Sequence, residues 1–429
     1  MSYSLYIRIT VYLHEVLSMI KSLLIVFLSV FFSANTYSQS RTLDYYLQQG
    51  SNNCPLLKDY ANQLQSGSID SLLAIGAYKP QVNLTSQAMY APAGNNIGYD
   101  EAITNGGNYA AVIGVKQSLF NEKIKSAQLQ NIRLLKQSLG VNKTITLTDL
   151  KKSITFQYIT AYADYEELQF NLKMTEMLAE QQKGVKYLVE AGIYQQIDFM
   201  NLEVSGKALE ITYKQAFIQY KNDIALLNLV SGIVDTSMVN LEKPALELTN
   251  HFDILQSPAM LQSGIDSLKN SNAKSLVDLN YKPKLEAFAD AGFMAIKPLN
   301  VPHNFGTSFG LNLSIPIYDG QLRIQEYNKI EIAEKSRTLF RDFYTSQYWQ
   351  QCRQLKEQLK LTGELIAEIN AQLSQQNELI GMYKAEIEKG LVRFTDFLLV
   401  INNYITTQNS LAVAEMNRMQ LINQLNYLK

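Results

Sequence analysis

Apolar positions in this chain repeat with two different periods. Leu355, Leu359, Thr362, Ile366, Ile369, Leu373, Gln376, Ile380, Tyr383 and Ile387 advance by alternating steps of four and three. That is a heptad seam rather than the broader stripe of a globular helix. Ile154, Tyr158, Ala161, Tyr165, Leu168 and Leu172 repeat the pattern. Taken alone, both seams suit any helical bundle. Elsewhere the period drops to two. Phe305, Thr307, Phe309, Leu311, Leu313, Ile315 and Ile317 alternate with Gly306, Ser308, Gly310, Asn312, Ser314 and Pro316. This predicts a strand with one apolar face and one small, polar face. Tyr109, Ala111, Ile113, Val115 and Leu119 alternate similarly with Asn108, Ala110, Val112, Gly114 and Lys116, and weaker alternation runs over 81–90 and 284–293. Strands of about ten residues with small polar partners suit a transmembrane β-barrel with a wet lumen. An antiparallel sheet with one solvated face would read the same way.

The prolines show where long helices fit. None lies between residues 93 and 243, and none follows 316. Proline inside a helix costs about 3 kcal/mol, so these two stretches, rich in strong helix formers, are expected to be helical. A helix from Asn121 to about Val189 would rise about 100 Å, with a returning helix, Asp198 to Val230, about half as long. Short helices over Leu56 to Tyr78 and Gln256 to Leu279 are expected to complete each column.

The chain also repeats itself. Tyr78-Lys79-Pro80 returns as Tyr281-Lys282-Pro283. Ser118-Leu119-Phe120-Asn121 matches Pro316-Ile317-Tyr318-Asp319, Gly192-Ile193 matches Gly390-Leu391, and Asp198-Phe199 matches Asp396-Phe397, each pair 198 residues apart. Each copy reads short helix, strand, strand, long helix, tight turn, helix. We read an internal duplication with copies at 39–232 and 254–429, joined by a linker at 233–253.

Composition narrows the chemistry. The 38 Lys+Arg balance 39 Asp+Glu, leaving no basic surplus to bind a nucleic acid. With three His and two Cys, and no Walker loop, HExxH pair or nucleophile elbow, no enzyme activity, metal or cofactor is expected. Cys54 and Cys352 leave one disulfide open as an option. From Met19 the chain shows Lys21, an apolar run from Leu23 to Phe32 and small residues up to Ser38. These are the parts of an export signal. Residues 1–38 are expected to be removed, with translation starting at Met19. The signal's apolar core is too short to span a bilayer as a helix, and no later run is long enough. Any crossing must be by strands.

With these parts in place, the chain resembles the TolC-like outer membrane efflux protein family. The resemblance covers the whole mature chain. It rests on the doubled unit and on the tip motifs GIYQQIDFM (Gly192 to Met200) and GLVRFTDFL (Gly390 to Leu398). In each, a Gly is followed six positions later by Asp and an apolar residue. The resemblance implies an α+β membrane protein and a homotrimer. Each subunit would give four strands to one 12-stranded transmembrane β-barrel in outer-membrane lipid. A long antiparallel α-helical barrel of coiled-coil hairpins would cross the periplasm. It implies a passive exit duct for efflux or type I secretion. A periplasmic adaptor (membrane fusion) protein and an inner-membrane transporter would dock at the tips, through Gly192, Ile193, Gly390 and Leu391. Asp198, Asp396 and Arg393 become candidates for the tunnel constriction, and Phe199 and Phe397 for packing at the tip. Asp198 and Asp396 fit equally as caps of the returning helices. The best-known family member carries an acidic residue three positions after a tip Asp; Asn201 and Leu399 stand there in this chain, which weakens an anionic ring. The competing reading is a periplasmic coiled-coil adaptor or structural protein, which would typically carry one hairpin rather than two.

Overall fold

The computed structural model describes residues 41–92, 107–235, 237–249, 253–387 and 389–428. The export signal, the start at Met19 and the loop between the first two strands lie outside them. In chain order come α1 (Leu43–Asn53), α2 (Pro55–Gly76), β1 (Gln81–Tyr90), β2 (Gly107–Leu119), α3 (Glu122–Glu190) and α4 (Gln196–Val230). They are followed by α5 (Pro258–Asn280), β3 (Lys284–Ala295), β4 (Phe305–Ser314), α6 (Leu322–Ile387) and α7 (Phe394–Asn426). The order helix, strand, strand, long helix, helix therefore occurs twice. The residues group into two compact units, each drawn from both halves of the sequence.

One unit comprises Gly50–Ser153, Leu246–Ala367 and Asn417–Lys429. Its four strands form one antiparallel sheet in the order β1-β2-β3-β4. The register runs without a break from Val82↔Val115 through Val115↔Ala289 to Ala289↔Phe309. Directly paired residues share a face. One face therefore carries Val82, Leu84, Ile113, Val115, Leu285, Phe309, Leu311 and Leu313. The other carries Asn83, Thr85, Lys116, Glu286, Asp290, Ser308 and Asn312. The expected alternation is thus carried across all four strands. β4 stops at Ser314, three residues short of the alternating pattern, because Pro316 has no N–H to extend a ladder.

The helical portions of this unit follow the strands in the same order. The Lys136 ammonium on α3 donates to Ser68 Oγ on α2 at 2.8 Å. Ser138 of α3 donates to Gln262 of α5 at 3.0 Å, and Arg337 of α6 donates to Ser263 of α5 at 2.9 Å. The sequence of neighbours is α2-α3-α5-α6. Cys54 and Cys352 are both free thiols.

The other unit comprises residues 41–49, Ile154–Ala245 and Glu368–Met416. The predicted seams are its core: Ile154, Tyr158, Ala161 and Leu168 on α3, and Ile369, Leu373, Ile380 and Ile387 on α6, are buried. The linker is stitched in by polar contacts. Arg41 pairs with Asp235 at 2.5 Å, and its backbone N–H donates to the Asn240 carbonyl at 3.0 Å. The buried Tyr158 hydroxyl reaches the carbonyls of Arg41 (2.9 Å) and Glu242 (2.7 Å). The Asp235 carboxyl is held down at about 2 by bonds from Ser237 and Arg41. Sequence reading missed α1. That helix ends at Asn53, and Pro55 starts the next helix in its first turn, where a missing N–H is harmless.

Gly292 and Gly306 pair directly across β3 and β4 on the polar face, yet their surroundings differ. A Cβ on Gly292 would lie 2.6 Å from Val112 Cα and closer still to the Ala111 carbonyl oxygen, whereas one on Gly306 would meet nothing within 4 Å. Gly292→Ala is expected to cost about 1–3 kcal/mol by overpacking backbone against backbone, and Gly306→Ala close to nothing. Thermal melts of the two variants in detergent check this.

Candidate functional site at the hairpin tips

The two reversals, α3 to α4 and α6 to α7, both belong to the unit containing the seams. Each ends its first helix by the same mechanism. Gly192 has φ 75° and Gly390 φ 69°, the left-handed conformation in which a side chain would crowd the backbone. The Gly192 and Ile193 N–H groups donate to the carbonyls of Val189 (3.0 Å) and Leu188 (2.9 Å). Gly390 and Leu391 do the same to Ile387 (2.9 Å) and Glu386 (3.1 Å). These paired bonds are Schellman caps, which satisfy carbonyls that a helix end leaves open.

The returning helices begin differently. In the first hairpin the Asp198 carboxylate accepts from the Gln195 backbone N–H at 3.2 Å, so it caps α4. In the second, Arg393 Nε donates to Asp396 Oδ2 at 3.2 Å. Arg393 is exposed and Asp396 half-buried, with Arg393 on the position that Gln195 occupies in the first copy. Asn201 and Leu399, beyond each Asp, are exposed as well.

The tips also bind each other. A Cβ on Gly390 would lie 2.5 Å from Ile193 Cγ2, so the first tip rests on the glycine of the second. Tyr194 donates its hydroxyl to the Val392 carbonyl at 2.9 Å, with the Ile387 carbonyl at 3.3 Å. Burial pushes the Tyr194 phenol above its ordinary value. Behind this clamp Phe394 and Phe397 are fully buried with Val185, Leu202, Ile380 and Ile401, and Phe199 packs half-buried against them. Tyr194 stacks edge-on to Phe394 at 6.5 Å, and Phe394 meets Phe397 at 5.7 Å. In front, Ile193, Leu391, Ile197 and Met200 are exposed, Leu391 at 68%.

The structure therefore brings Ile193 and Gly390 into contact, leaves Gly192 open as the turn residue of the first tip, and buries Phe397 behind them. Leu391, Asp198, Asp396 and Arg393 stay at the surface. Sequence reading missed Tyr194 and Phe394. The one available signal was a break in the duplication: Tyr194 aligns with Val392, the residue whose carbonyl it binds. Among the described residues no cluster of His, Cys, Asp and Glu suits a metal ion, and no helix is long and apolar enough to cross a membrane.

Comparison with known proteins gives the fold a context. No family model matches the sequence, and no curated protein does. The structure is similar to that of CusC, described in crystal structures of its folding and transmembrane channel formation (TM-score 0.73, 11% identity, 92% of this chain and 93% of that one). It is similar to the outer-membrane channel OprN (TM-score 0.73, 12% identity, 90% and 89%). It is also similar to the CmeC outer membrane channel of Campylobacter jejuni (TM-score 0.71, 11% identity, 90% and 85%). The chain thus has the TolC-like channel fold: long helices joined to four antiparallel strands.

Both tip glycines require a left-handed backbone, and only Gly390 is also pressed by a neighbour. Gly192→Ala is expected to cost about 1–2 kcal/mol and Gly390→Ala more. Adding Ile193→Ala should recover the excess at Gly390 only. Melting temperatures of the four variants check this, and equal losses at the two glycines would show that the tips do not press together.

Proposed function

We propose that this chain, folded as TolC-like outer-membrane channels are, is the outer-membrane exit duct of a tripartite efflux or type I secretion system. The observation that carries this reading is the four-stranded sheet. One face is apolar and open, with Phe309 at 88% exposure. Among the described residues β1 pairs only with β2 and β4 only with β3. A sheet with free edges cannot sit in hydrocarbon. Copies joined edge to edge remove the edges and leave the apolar face to lipid. Exposed Leu72 and Leu73 on α2, beside β1, and Leu339, Phe340 and Phe343 on α6, beside β4, give the two borders matching apolar character. A head-to-tail contact between unlike borders closes a ring, and three copies of four strands give the 12-stranded barrel of a homotrimer. The paired rings of Phe293 and Phe305 (5.3 Å) and exposed Tyr90, Phe120 and Tyr318 suit interfacial girdles.

In this reading the duplicated halves are the two repeats of the duct subunit, and residues 1–38 direct export. The exposed apolar tip around Ile193 and Leu391 is the surface for a periplasmic adaptor, which couples the duct to an inner-membrane transporter. Asp396 and Arg393 line the constriction, with Asp198 acting as a cap. A periplasmic adaptor fits less well, since it has no use for a sheet with an open apolar face.

Two measurements test the proposal. Native mass of detergent-extracted protein from the outer-membrane fraction is expected to correspond to three chains, and a soluble monomer would overturn it. In planar bilayers, Arg393→Ala and Asp396→Ala are each expected to change single-channel conductance. Parental conductance in both would remove the pair from the constriction.

A further inference from the structure

At the foot of the sheet, where strands pass into helices, the polar face opens into a hollow of about 450 Å³. Ser118, Glu286 and Asn312 pair directly across β2, β3 and β4, and Lys284 pairs with Ser314 beside them. All five line the hollow, so it lies on the face that carries Asn83, Thr85 and Asp290 and not on the apolar one. Lys123 joins them from the first turn of α3, and Lys282 from the turn between α5 and β3. Lys123, Lys282 and Lys284 are all exposed, and among the described residues none of them forms an ion pair. Carboxylates close to them in sequence are engaged elsewhere, Glu122 with Lys125 at 2.7 Å and Asp278 with Arg323 at 2.6 Å. The hollow thus has three lysines to one carboxylate, that of Glu286. Farther up the same face Lys116 and Asp290 offset each other in charge, so the positive surplus sits at the foot.

The turns themselves do not demand these lysines. Gln81 follows Pro80 where Lys284 follows Pro283, and Gln321 stands 198 residues after Lys123. Uncharged side chains therefore serve the same turns in the other copy. Like charges gathered in one hollow repel unless a counter-charge lies among them, and pores that prefer anions are lined by rings of such cations. We propose that this hollow is an anion site on the wall of the duct, taking carboxylate or phosphate groups of passing solutes. Its luminal position rests on the exit-duct reading, in which the polar face is the wet inner wall. The site itself is complete within one chain. Three copies set a positive collar where strands give way to helices, and the collar favours acidic solutes over basic ones.

The first test needs no pore. In the full chain held in detergent, acylation of individual lysines by an amine reagent is followed by mass spectrometry, with and without inorganic pyrophosphate. Charge-assisted binding of the anion is expected to slow Lys123, Lys282 and Lys284 about threefold or more. Lys58, exposed on α2, should keep its rate. No slowing at the three lysines, or equal slowing at Lys58, overturns the site. The second test reads current in planar bilayers across a KCl gradient kept at or below about 0.1 M, where charges act over ~10 Å. Lys123→Gln, Lys282→Gln and Lys284→Gln together are expected to lower the chloride-to-potassium permeability ratio at least about twofold. If the triple variant does not fold, each single replacement should give a smaller shift of the same sign. An unchanged ratio in a conducting variant also overturns the proposal. A parent that forms no pore would sink the duct instead, and the labelling alone would then decide the anion site.

Discussion

A β-strand carries donors and acceptors along both sides, and an edge strand has partners on only one. Among the described residues β1 and β4 are both edges, and the sheet between them has a continuous apolar face. In water such a sheet would invite aggregation; in hydrocarbon it would hold unpaired polar groups. The arrangement is consistent only if something supplies the missing partners. The neighbour order α2-α3-α5-α6 repeats the strand order β1-β2-β3-β4, so the helices inherit the same two open borders. The exposed leucines and phenylalanines of α2 and α6 belong to this constraint rather than to a failed core.

The hairpin tips answer a different demand, the reversal of a helix in a few residues. Both copies meet it with a left-handed glycine and a Schellman cap, and there the likeness between copies ends. The first copy contributes a tyrosine donor and a backbone-capping aspartate. The second contributes the receiving carbonyl and a surface Arg393–Asp396 pair. Side-chain divergence at matched positions lets two similar turns bind each other instead of duplicating the same contacts. The buried Phe394 and Phe397 then make the joined tips one packed end.

Neither compact unit coincides with one half of the sequence. Packing is set by which helical faces meet, and the contacts run both between the copies and within one. Phe170 of α3 thus meets Tyr404 of α7 at 6.1 Å, and Gln376 of α6 donates to Thr407 of α7 at 3.0 Å. The same order of elements occurs twice along the chain, and burial decided how they group.

Local pattern determined most of the elements. Alternation over 81–90 marks the span of β1, the proline-free stretches contain the long helices, and between Leu355 and Ile387 the buried residues of α6 all fall on heptad positions. These are readable because side-chain direction follows backbone period within a single segment. Glycine at 192 and 390 was equally legible, since only the turn conformation demands it. Contacts between segments were not. Tyr194 on Val392 and Ile193 against Gly390 join residues that no local pattern relates. Each depends on the relative rotation of neighbouring helices, and that rotation is chosen by the packing of all their side chains together. The sequence by itself determined where the helices, strands and turns lie and which faces are apolar; only the tertiary structure decided which of those faces meet.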